Sequence, residues 1–102
     1  MAVTITDELV EEILDYIRVN ATEKSRAEVT TLILAGVADL SRQGVRKISL
    51  DDPLTKQVIR LYCKGHYGYD DGEKFLRSYE ALSAAMALDY LDYASASEEG
   101  DS

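Results

Sequence analysis

A chain of 102 residues, 46% hydrophobic and 29% charged, is sized for one domain with one modest core, and its single Cys cannot form an internal disulfide. The formal charge is −8, with ten acids against six bases in residues 1–52 and nine against five in residues 53–102. So even a spread argues against reading DNA or RNA sequence, which needs clustered Lys and Arg to displace counterions.

The longest apolar run, Leu32 to Ala38, is seven residues, where a membrane-spanning helix needs about 20. The opening "MAVTITDELV" has neither the basic start nor the apolar run of a signal peptide. The chain is therefore expected in the cytosol where it is made, with no membrane partner.

The first predicted helix opens at Thr6 as cap, with Asp7 and Glu8 in the turn where the helix dipole favours acids. Leu9, Val10, Ile13, Leu14 and Ile17 recur at helical spacing, and Asn20 is a stop signal. The second helix is predicted to open at Ser25, with Glu28 completing a capping box. Val29, Leu32, Ile33, Val37 and Leu40 mark its buried side, and Gly44 its C-terminus. Ala35, Gly36 and Ala38 keep its middle thin, so a neighbouring helix can approach closely there.

Residues 45–52 read as a short extended connection carrying Val45, Ile48 and Leu50. Asp52-Pro53 is a cap followed by Pro at the first helical position. Leu54, Val58, Leu61 and Tyr62 then share one face of a third helix, which Gly65 and Gly68 are expected to end. Asp70 with Glu73 repeats the capping-box arrangement for a fourth helix bearing Phe75, Tyr79, Leu82, Met86, Tyr90 and Tyr93. "SASEEGDS" has no large apolar residue and reads as a tail. The expected fold is all-α: a small bundle of about four helices over residues 1–93, with a flexible acidic C-terminal tail over 94–102.

The stretch "LYCKGHYGYDDGEKF" holds the only Cys and the only His, Cys63 and His66. Positions i and i+3 share a helix face, so the pair has metal-ligand spacing. A structural zinc site needs four ligands, however, and only Asp70 and Asp71 could complete this one. Those two carboxylates, like Asp51 and Asp52, sit where a helix begins; a helix N-terminus favours the ionised form and opposes the raised pKa of a general acid. There is no nucleophile elbow, phosphate-binding loop or dinucleotide fingerprint. No catalytic, cofactor-binding or metal-binding residue is expected, and no enzyme activity.

Tyrosine is the unusual residue, with seven Tyr against one Phe and no Trp. Tyr16, Tyr62 and Tyr79 fall on or beside apolar stripes and read as core. Tyr67, Tyr69, Tyr90 and Tyr93 fall in the last turn-forming stretch and at the end of the last helix. Tyr is enriched at protein–protein contacts, and these four are the expected interface residues.

The stretch "LTKQVIRLYCKGHYGYDDGEKFLRSYEAL" resembles the head–tail connector (adaptor, or head-completion) proteins of long-tailed bacteriophages. Their third helix carries a pattern like K-x-A-V-x-L-Y-x-K-A-x-F/Y-G-Y-D, leading into a helix with an F-x-x-x-Y-x-x-L core. Lys56, Val58, Leu61, Tyr62, Lys64, Tyr67, Gly68, Tyr69 and Asp70 fit the first part, and Phe75, Tyr79 and Leu82 fit the second. The resemblance spans residues 54–88; Gly65 departs from it, standing where an Ala-like residue is usual, and the 45–52 connection is shorter than in several relatives.

The resemblance implies a structural role in the virion neck, with the host cytoplasm as its location before assembly. Its implied partners are the portal protein, a stopper or tail-completion protein, and further copies of itself in a ring, commonly of twelve. DNA would only pass through the channel, and an acidic lining offers its phosphates no adhesive contacts. From charge and helical character alone, a second expectation is a small acidic regulatory module that masks a basic partner or mimics DNA.

Overall fold

The computed structural model describes residues 4–45, 48–67 and 72–101, with backbone alone beyond Leu88. Four helices follow one another: α1 (Asp7–Ile17), α2 (Glu23–Arg42), α3 (Pro53–His66) and α4 (Gly72–Asp101), with no strand among the described residues. The all-α, four-helix architecture is as the sequence predicts. The segment 94–102, read as a tail, falls partly within the backbone span of α4; its side chains lie outside the described residues.

The starts of α1, α2 and α3 are each set by a side chain that satisfies backbone N–H groups left without intrahelical partners. Thr6 caps α1, its Oγ1 accepting from Leu9 N–H at 3.1 Å. The cap of α2 differs from the expected Ser25–Glu28 pair. Thr22 is the cap and accepts from Ser25 N–H at 3.0 Å, while Ser25 Oγ accepts from Thr22 N–H at 2.8 Å. Ser25 is thus the third helical residue rather than the cap. A short hydroxyl can take the reciprocal role usual for Glu because Ser25 is buried against the turn, where its Oγ also donates to Asn20 O at 2.7 Å. Asp52 caps α3, accepting from the N–H and Oγ1–H of Thr55, with Pro53 at the first helical position.

Two helix ends share one geometry. Gly44, at φ 106°, donates to Ser41 O and Val45 to Leu40 O, both at 3.1 Å, which is the left-handed closure that glycine favours. α1 closes in the same way without a glycine: Arg18 takes φ 59°, Arg18 N–H donates to Asp15 O and Val19 N–H to Leu14 O. The stop therefore comes two residues before Asn20. The hydrogen bonds of the closure, and half-burial of Val19, outweigh the modest cost of a left-handed non-glycine residue.

α3 is the central element and packs against α1, α2 and α4. Ile13, Val29, Ile33, Leu40, Val58, Ile59 and Cys63 are fully enclosed, each large aliphatic side chain contributing about 1.5–3 kcal/mol relative to exposure. Val45, Ile48 and Leu50 of the connection are buried in the core. Leu54 does not, being 48% exposed. Thr55 takes its place because its hydroxyl is tied to the cap, which turns the apolar face of α3 onto Val58, Ile59 and Leu61. The thin middle of α2 is used: a Cβ on Gly36 would lie 3.0 Å from Ile59 and 3.1 Å from the Tyr62 ring.

Gly65 lies inside the last turn of α3 and does not end it. A Cβ at Gly65 would sit 2.5 Å from the Leu76 side chain, and one at Gly72 would sit 2.6 Å from Gly65 O. The two glycines let the end of α3 and the start of α4 touch backbone to backbone. The expected Asp70 cap and the Gly68 stop lie outside the described residues. Gly65→Ala should lower stability by about 1–3 kcal/mol, the usual cost of overpacking, despite the better helix propensity of Ala. Urea unfolding followed by circular dichroism measures it, and an unchanged or raised midpoint would contradict this packing.

Candidate functional site

α2 and α4 meet beside the end of α3 through two polar rungs. Tyr79 Oη donates to Asp39 Oδ2 at 2.5 Å, and Ser83 Oγ donates to Gln43 Oε1 at 3.1 Å. Asp39 and Gln43 are one helical turn apart, as are Tyr79 and Ser83, and both rungs advance in the same chain direction. α4 therefore runs in the same sense as α2, with α3 between them. Asp39 also accepts from Gln43 Nε2 at 3.0 Å and pairs with Arg42.

These bonds set the protonation states. Burial alone would raise the Asp39 carboxyl, but the hydrogen bonds from Tyr79, Arg42 and Gln43 outweigh it and hold the group below its ordinary value. Burial, then the hydrogen bond to the Asp39 carboxylate, pushes the Tyr79 phenol well above its ordinary value. Burial and the nearby Asp39 charge raise Tyr62 as well. Asp39 is thus an ionised acceptor held by a phenol that stays protonated.

Around this pair the aromatic rings form a chain. Tyr79 meets Tyr62 edge-on with centroids 5.0 Å apart, and Tyr62 meets His66 at 4.2 Å with the planes tilted by 44°. Asp39, Arg42, Gln43, Tyr62, His66, Leu76, Tyr79 and Glu80 line an open cleft of about 440 Å³. On the other side of His66 a second groove of about 300 Å³ is lined by Glu28, Thr31, Leu32, His66 and Tyr67.

Of the four tyrosines expected at an interface, Tyr67 is the α3 cap residue, half-buried beside this second groove. Tyr69 and the side chains of Tyr90 and Tyr93 lie outside the described residues, as do Asp70 and Asp71. Cys63 and His66 are not brought to one site. Cys63 is fully buried and its thiol is pushed up to about 12 by burial, so the free thiol stays protonated at neutral pH. His66 is exposed on the last turn. Among the described residues no three His, Cys, Asp or Glu side chains converge as metal ligands.

Sequence reasoning missed Asp39, Gln43, Ser83 and Glu80. A signal was present: Asp39 and Gln43 flank the buried Leu40, and Ser83 lies one turn after Tyr79, so polar residues at matching spacing sit beside two apolar stripes. Comparison with family models, with curated proteins and with solved structures finds no match for this chain.

Tyr79→Phe should cost about 1.5–3 kcal/mol at neutral pH, the range for hydrogen bonds to charged groups. Because the Asp39 carboxyl is lower in the folded state, its contribution is present above the unfolded-state value and is lost as pH falls through the folded one. The penalty of Tyr79→Phe should therefore shrink in acid, and a penalty equal at pH 7 and pH 3 would contradict the assignment. Cys63 should react with a thiol reagent only as fast as the core opens; rapid labelling of native protein would disprove its enclosure.

Proposed function

We propose that this protein is a structural head–tail connector of a tailed bacteriophage, assembling with further copies into a ring under a portal protein, in the virion neck. The role needs no catalysis. Two things support the reading beyond the acidic composition. The residues carrying the resemblance, from Lys56 to Leu82, fall on α3, α4 and the joint between them, and Tyr62, Lys64 and Tyr79 each join elements there. Lys64 Nζ lies 5.0 Å from the Tyr16 ring centroid and 4.5 Å from that of Phe75, linking α1, α3 and α4.

The observation that carries the proposal is a pair of unlike, charge-free, exposed helix faces. Residues 29–38 of α2 and residues 81–88 of α4 contain no charged residue. Thr31, Leu34, Ala35 and Ala38 are exposed on α2, and Ala81, Ala84, Ala85 and Leu88 on α4. Leu34 is 51% and Leu88 65% exposed. Thr30 and Thr31 donate their hydroxyls to Arg26 O and Ala27 O of their own helix, which lowers the polarity of that face. In a chain of charge −8, copies repel except where charge is absent. Two different faces on one chain suit head-to-tail packing, which closes into a ring when the rotation allows.

No helix among the described residues is long and apolar enough to cross a membrane. Native mass spectrometry of the protein mixed with its portal should show a multimeric complex, with Leu34→Glu and Leu88→Glu each folding normally but failing to multimerise. Absence of any portal complex at micromolar concentration, together with salt-sensitive capture of a DNA-binding protein, would favour an acidic masking module instead.

A further inference from the structure

We infer that the cleft between α2, α3 and α4 is a binding site for an arginine side chain presented by a partner protein. This stands apart from the connector reading, since it rests on the chemistry of the cleft and holds for any partner.

The cleft combines three features that a guanidinium uses together: flat rings, a carboxylate acceptor and an apolar floor. His66 is exposed and Tyr62 half-buried, and they lie side by side in the lining. A cation over the Tyr62 ring gains from the aromatic quadrupole. Leu76 lines the same space and can cover the methylene stem of an entering side chain. Glu80 is exposed and has no ion-pair partner among the described residues.

Charge selects the ligand class. Arg42 is the one fixed cation in the lining, and it is already paired with Asp39. That leaves Glu80 as the uncompensated charge, in a chain whose net charge of −8 further attracts cations. An anion would meet Glu80 and the Asp39 carboxylate together. An ammonium could reach Glu80 but would lose the planar stacking, and a guanidinium uses both.

The test is a chemical-shift titration of the full, isotopically labelled chain with acetyl-arginine-amide at fixed ionic strength. Acetyl-lysine-amide and acetate are run in parallel. The expected result is saturable shifts confined to Tyr62, His66, Leu76 and Glu80, with the lysine analogue weaker. Glu80→Gln should weaken arginine binding about fivefold, the upper range for one exposed ion pair, whereas Asp15→Asn, on the far acidic surface of α1, should leave it unchanged. Shifts spread over α1 as well, insensitivity to Glu80→Gln, equal binding of lysine, or preferential saturation by acetate would each overturn the assignment.

Discussion

The backbone contact between Gly65 and Gly72 is the constraint on which the rest of this fold depends. A helix that begins in van der Waals contact with the preceding helix has its direction set from its first residue. Leu76 then lies over Gly65, and Tyr79, about two turns into α4, arrives at Tyr62 and Asp39. Ser83 follows one turn later against Gln43. A side chain at position 65 would lift α4 from α3, and both rungs and the aromatic chain would move with it.

Most charged groups of the described residues lie at or near the surface, although Arg60 Nε is buried without a hydrogen-bond partner. Glu11 pairs with Arg26 at 2.9 Å, and Glu12 lies 3.5 Å from Arg60 and 3.9 Å from Lys56. These pairs tie α1 to α2 and α3, yet they are half-exposed, and such pairs contribute from nothing to about 1 kcal/mol each. The core needs no help from them, because α1, α2 and α3 present continuous aliphatic faces to one another. Asp39 is a half-buried ionised group at the edge of the cleft. It is tolerated there because a phenol, an amide and a guanidinium all donate to it, which meets the general condition for burying a carboxylate. That requirement is also what shapes the cleft, since it draws Tyr79 inward and leaves Glu80 and His66 at the rim.

Much of the fold was legible in the sequence. The Thr6 and Asp52 caps, the Gly44 closure and the stripes of α1 and α2 all follow from rules that act within a few residues. Errors arose where a longer-range contact overrode a local signal. Ser25 reads as a cap because a Glu follows at the right distance, but burial against Asn20 moves it to the third helical position. Gly65 reads as a helix stop because glycine often is one, but here its value is the missing Cβ facing Leu76. Leu54 reads as core by periodicity, whereas the Asp52–Thr55 cap rotates the buried face of α3 away from it.

The sequence by itself determined the class of structure and the places where α1 and α3 begin. Those depend on hydrogen bonds and side-chain periods spanning three or four residues, and they are written in neighbouring positions. Only the tertiary structure decided which polar residues matter. Asp39 and Tyr79 are forty positions apart, and nothing local marks either as a partner of the other. Their meeting is a consequence of how closely two helices pack. The cleft with Glu80, His66 and Tyr62 on its walls exists only once that packing has brought α2, α3 and α4 to the same place.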